Sequence, residues 1–108
     1  MSIRHSVIIK RPGEPPRHVT MSLTLENLQR YVGGYIETVT LANDCCIICD
    51  EEGRLKGKPY NCTICNIDFV GDIVFVGVDG DEFTDIPLPD GFKGFKRMFP
   101  RLWEGLND

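Results

Sequence analysis

Residues 45–65 read CCIICDEEGRLKGKPYNCTIC, two Cys-x-x-Cys pairs separated by a dozen residues. If Cys46, Cys49, Cys62 and Cys65 converge on one ion, metal organises this domain; if they diverge, an ordinary hydrophobic core does. The spacing is near that of a zinc ribbon. The residues between the thiols argue otherwise. A zinc knuckle needs a tight turn inside each pair so that both sulfurs reach the ion, and such turns use Gly, Pro, Asn or Asp. Here the intervening pairs are Ile47-Ile48 and Thr63-Ile64, β-branched strand formers. In an extended strand, residues three apart point to opposite faces, so Cys46 and Cys49 diverge. A helical Thr63-Ile64 would unite Cys62 and Cys65, but only that pair. The thiols are therefore expected to act as small buried hydrophobes. The alternative is a structural zinc domain held by Cys46, Cys49, Cys62 and Cys65.

Outward from this stretch the chain alternates strand and helix patterns. Ser6–Lys10, SVIIK, is a β-branched run closed by Arg11-Pro12-Gly13, a strand and a turn. GEPPRHVTMS is loop or edge strand, since Pro15 and Pro16 cannot donate to a ladder. TLENLQRYVGG predicts a helix, with Thr24 at its cap and Leu25, Leu28 and Val32 on the buried face. Gly33 or Gly34 supplies the left-handed terminus. Tyr35 to Leu41 alternate as a half-buried strand, and CCIICD continues as a second strand. Glu51-Glu52-Gly53 reads as a three-residue bulged hairpin loop, with RLKGKPYN returning as strand or loop. GDIVFVGVDGDEFTDI is the clearest β segment, with Asp79-Gly80 as its turn. In the tail, Phe92, Phe95, Phe99 and Leu102 recur at helical spacing until Pro100 breaks or kinks the helix. These patterns predict one α+β domain over 1–108: a single, mostly antiparallel sheet with one or two helices packed on a face.

Composition bounds the function. The chain has 108 residues, 42% hydrophobic and 26% charged, the balance of a globular domain with its own core. No apolar run is long enough to span a bilayer, and MSIRHSVIIKRPG lacks the h-region of a signal peptide. A cytoplasmic location is expected, with five reduced cysteines, an odd count that argues against a disulfide framework. The net charge of −4 is uneven. Arg4, Lys10, Arg11 and Arg17 lie near the start, and Lys93, Lys96, Arg97 and Arg101 near the end. Acids such as Asp79, Asp81, Glu82 and Asp85 fill the middle. If the ends meet, they form a basic patch on an acidic protein.

No catalytic constellation stands out. His5 and His18 flank the first strand and its loop with no local signature of a cysteine–histidine pair, and read as solvated. GRLKGK is too short for a phosphate loop, and Pro59 follows where Ser or Thr would hold magnesium. DGDEFTDIPLPD fails as a calcium loop because Phe83 occupies position five and no glycine stands at position six. The aromatic–basic tail suits either nucleotide stacking or a helix docked on a sheet. Its aromatics read as a buried stripe, and its basic residues stay open as a ligand or partner surface.

At LENLQRYVGGYIETVTL the sequence resembles a family of small uncharacterised domains found in phages, mobile elements and Firmicutes. The pattern comprises Leu28-Gln29, Val32-Gly33-Gly34-Tyr35-Ile36-Glu37, Asp50-Glu51-Glu52-Gly53-Arg54-Leu55 with Gly57, Pro59 and Asn61, then Gly71-Asp72-Ile73-Val74. The resemblance covers about residues 5–98. The cysteines are not part of it. It implies a compact α+β domain of viral or mobile-element origin and carries over no catalytic residue.

Tyr35, Glu37, Lys58 and Asn61 are polar enough to line a pocket, and Lys93, Lys96 and Arg97 complete the candidate ligand residues. The function expected is that of a non-enzymatic accessory protein without cofactor, in the host cytoplasm if viral. Its specific form is a homo-oligomeric sponge that sequesters a nucleotide-type signal of host defence. The alternative is an acidic interaction module that binds or inhibits a host protein. Neither membrane association nor direct DNA binding is expected.

Overall fold

The continuous apolar run Ile73–Val76 becomes the middle of the molecule. A computed structural model of the protein describes residues 3–104 and 106. Its elements in chain order are β1 (Arg4–Lys10), β2 (Arg17–Ser22), α1 (Leu25–Val32), β3 (Ile36–Ala42), β4 (Cys45–Asp50), β5 (Tyr60–Ile64), β6 (Ile67–Val70), β7 (Ile73–Asp79), β8 (Glu82–Thr84) and α2 (Gly91–Met98). A 3-10 turn follows at Pro100–Trp103. Six strands form one antiparallel sheet in the order β2-β1-β7-β4-β3. β8 pairs with β7 beyond the end of β1, and β5 and β6 form a separate two-stranded hairpin. The α+β class and the mostly antiparallel sheet stand as read from the sequence.

Buried on both faces, β7 needs no polar alternation, which is why its run is unbroken. Val74 and Val76 join Val7, Ile9, Cys46 and Ile48 under Leu28 and Val32 of α1. Ile73 and Phe75 face the other way, with Ile8, Ile47, Cys49, Cys62, Ile64, Phe69, Phe95 and Leu102. The helices thus occupy opposite faces, α1 on one and α2 with the β5–β6 hairpin on the other. Phe75, fully buried, meets the Phe95 ring edge-on at 5.1 Å between centroids. Each fully buried Ile, Val or Phe here contributes about 1.5–3 kcal/mol.

Helix α1 starts as its sequence directs. Thr24 accepts from the Asn27 N–H at 3.2 Å, and Gly33 ends the helix at φ 86°. Leu28 and Val32 are buried, but Leu25 is 58% exposed.

Two local expectations are corrected, and the alternative of a helical Thr63-Ile64 does not form. The Glu51–Gly53 hairpin does not form: β4 pairs with β3 and β7, and residues 51–57 make a succession of turns. Gly53 is needed for close approach, since a Cβ there would lie 2.9 Å from Val70 Cγ2. Thr63-Ile64 is strand, not helix, and the hairpin beyond it turns on Cys65 and Asn66 at φ 52° and 64°. The β7–β8 turn falls on Gly80-Asp81, because Asp79 pairs with Glu82.

Candidate functional site

The thiols separate as extended backbone requires. Cys46 lies under α1; Cys49 and Cys62 lie on the opposite face; Cys65 is exposed at the hairpin turn. Among the described residues, no group of three or more His, Cys, Asp or Glu side chains is placed to share a metal ion. Burial pushes the Cys45, Cys49 and Cys62 thiols up to about 11, so they are neutral at physiological pH.

A cavity of about 730 Å³ lies between the β5–β6 hairpin and the segment running from α2 into the 3-10 turn. Lys10, Asn61, Cys62, Met98, Phe99 and Arg101 are among its lining residues. Lys10 arrives by strand alternation: Val7 and Ile9 face α1, so Ile8 and Lys10 face the hairpin. The lysine is only 2% exposed. Its ammonium donates to the Arg11 carbonyl at 3.1 Å, and among the described residues it forms no ion pair. Burial lowers its pKa, with the Cys62 thiol and Glu14 opposing. Asn61 fastens the hairpin to the sheet. Its Nδ2 donates to the Lys10 carbonyl at 2.8 Å and the Gly71 carbonyl at 2.6 Å, while its buried Oδ1 has no partner among the described residues. Arg101 and Glu104, both exposed, also line the cleft. Two cationic side chains against one carboxylate leave the cleft net positive, which suits an anion.

The other candidate residues scatter. Tyr35 is 68% exposed at the start of β3. Glu37 lines a smaller groove on the same face as Val39, Arg54, Leu55 and Ile67. Arg97 pairs with Asp90 at 3.0 Å, and Lys96 lies 5.4 Å from the centre of the Trp103 ring. Lys93 is exposed on α2. Of the set, only Asn61 reaches the large cleft. The histidines are more engaged than solvated side chains would be: His18 bonds to Ser6 Oγ and stacks on Phe92, and His5 bonds to Asp85 at 3.1 Å.

Lys58 belongs to a different assembly. Its ammonium and that of Lys56 lie 2.6 Å and 2.9 Å from Asp50 Oδ2, while the Glu52 N–H donates to Oδ1 at 2.9 Å. The same ammonium groups donate to the Val32 and Gly33 carbonyls at the end of α1, where the helix dipole favours positive charge. Burial alone would raise the Asp50 carboxyl, but hydrogen bonds from Lys58, Lys56 and the Glu52 amide outweigh it and bring the pKa to about 2. A Cβ on Gly34 would lie 2.7 Å from Asp50 Oδ1. Val32-Gly33-Gly34 and the Asp50–Lys58 loop, on which the resemblance rests, thus meet in one ion-pair knot.

That arrangement sits inside residues 3–99, the span over which the chain matches a family model described as Domain of unknown function (DUF3846). The chain belongs to the DUF3846 family. No curated protein and no solved structure matches it. In this DUF3846 domain, no helix among the described residues is long and apolar enough to cross a membrane.

Lys10 and Arg101 are the site residues that sequence reading missed as a pair. Both were counted in the basic ends, but a lysine at a strand terminus reads as solvated. Its burial comes from a hairpin and a helix distant in sequence.

Proposed function

We propose that this DUF3846 domain is a non-catalytic binder of a small anionic, nucleotide-type ligand, held in the cleft between the β5–β6 hairpin and the 3-10 turn. The observation that carries this reading is Lys10, a buried ammonium with one backbone carbonyl as partner and no carboxylate. An uncompensated buried cation costs stability; an anionic ligand offsets that cost. Arg101 adds positive charge to the cleft lining, and Phe99 offers a ring for a flat base. In this reading the protein is a homo-oligomer that holds its ligand without converting it. That is an accessory task for a phage or mobile element removing a nucleotide-type signal of host defence.

A thermal-shift screen against cyclic nucleotides, ADP-ribose-type nucleotides and pyrophosphate tests the reading. A ligand present at a hundredfold its Kd adds about 2.7 kcal/mol. For a domain of this size the midpoint then rises by more than about 10 °C. Lys10→Met abolishes the rise and Arg101→Ala reduces it, while Lys93→Ala, outside the cleft, leaves it unchanged. Absence of stabilisation by every anion in the screen refutes the proposal.

A further inference from the structure

The outer edge of β3 carries an inference about assembly. Glu51 N–H donates to the Tyr35 carbonyl at 2.8 Å, which fixes the phase of the β3–β4 ladder. Glu37 and Val39 therefore exchange hydrogen bonds with Cys49 and Ile47, and Ile36, Thr38 and Thr40 turn their N–H and C=O groups away from the sheet. These form a row of backbone donors and acceptors on the last strand of the order β2-β1-β7-β4-β3. The edge contains no proline and no lysine, the residues by which proteins commonly block such rows. The opposite edge, β2, is blunted: Pro15 and Pro16 precede it, and Arg17 and His18 open it.

Three of the exposed large hydrophobic side chains among the described residues lie at or near this edge. Leu55 is 86% exposed, Tyr35 68% and Ile67 40%. Leu55 and Ile67 line a groove of about 370 Å³ together with Glu37 and Val39 of β3. Ordinary solvated strands do not need such flanks.

We propose that β3 pairs antiparallel with β3 of a second copy of this chain, about a two-fold axis through Thr38, joining two six-stranded sheets into one. The outward groups set the register. Ile36 exchanges bonds with Thr40 of the second copy, and the two Thr38 residues exchange bonds with each other. Side chains then meet in compatible rows, with Glu37 opposite Val39 of the second copy. Glu37 is the only charge on β3, and this register places it diagonal to its own equivalent rather than directly opposite, the arrangement in which like charges cost most. The bulge between Thr40 and Ala42 ends the regular edge and confines the register. Backbone pairing over five residues falls short of the roughly 1,200 Å² that a stable interface buries. Leu55, Ile67 and Tyr35 lie on the flank where a second copy covers them, and they supply the remainder.

The test is mass in solution by light scattering and sedimentation over a wide concentration range. The expected result is a dimer for the wild type. Thr38→Pro removes an N–H that β4 does not use, so it weakens association at least about tenfold while the circular dichroism spectrum stays native. Leu55→Glu, remote from the ladder, does the same through the apolar flank. A wild type that stays monomeric at every concentration overturns the proposal, and so does a dimer untouched by both variants. Lys10 lies on β1, with β7 and β4 between it and β3. Monomeric variants therefore still bind any anion that the cleft takes, and loss of pairing is distinguishable from failure of the ligand reading.

Discussion

Replacing Asp50 with asparagine removes the charge on which two lysines converge, and the structure sets the size of the effect. The Asp50 side chain is 1% exposed, and its carboxylate accepts from Lys56, Lys58 and the Glu52 amide. A carboxyl lowered from 3.8 to about 2 is worth at most about 2.5 kcal/mol at neutral pH. Lys56 and Lys58 remain 40% and 22% exposed, so water and salt screen the pair, and about half of that figure survives. The asparagine amide also turns a donor toward two ammonium groups, which returns part of the difference. The expected loss is about 1–2 kcal/mol at pH 7, a fall in midpoint of about 5–15 °C. Because folding depresses this pKa, its contribution is complete above about pH 5 and is lost as the pH falls through 2. The gap between wild type and variant therefore closes over that window. Urea melts at pH 7, 4, 3 and 2 measure it, urea adding no ionic screening. A gap that is absent at neutral pH, or that persists unchanged at pH 2, refutes the role assigned to Asp50.

Gly34→Ala drives a methyl group into the same knot; it costs about 1–2 kcal/mol, and combining it with Asp50→Asn costs less than the two losses added, as a double-mutant cycle in urea shows. Gly57→Ala, at φ 70° with open space around it, costs about 1 kcal/mol through backbone strain, read in the same urea melts. Lys10→Met, which replaces a buried unpaired cation by an apolar side chain of similar length, leaves the midpoint unchanged or raises it while removing anion binding; a large fall in midpoint contradicts the ligand role. With a thiol reagent at pH 8, Cys65 labels in a fast phase, whereas Cys46, Cys49 and Cys62 label only as the domain opens, since burial raises these thiols; uniform labelling of all five contradicts the packing.

What the sequence revealed depended on how local the physics was. β1, β7 and α1 were legible because their periodicity, caps and closing glycines lie within a few residues of each other. Cys46 and Cys49 diverge for the reason visible in Ile47-Ile48. The β5–β6 hairpin was missed because the stretch from Tyr60 was weighed for its thiols. Its turn places a cysteine, rarely found there, at positive φ, and Asn66 was the one residue that advertised it. Leu25 fits the helical stripe and still faces water, since the period does not say how far the partner surface extends. The candidate site was least legible of all. Lys10 and Arg101 meet across a cleft only after most of the chain has folded, and neither carries a local sign of its partner.

β1 and β8 lie end to end along one side of β7, and the Ile86 N–H donates to the Ser6 carbonyl at 2.8 Å across that junction. A ribosome has therefore made nearly three-quarters of the chain before β1 gains its inner neighbour. Until then β1 has only β2 as a ladder partner, and Ile8, whose cover comes from later elements, waits exposed. Such long-range closure places the domain among slower folders, in milliseconds to seconds, and leaves a nascent chain whose sticky N-terminal strands invite chaperones before they find β7.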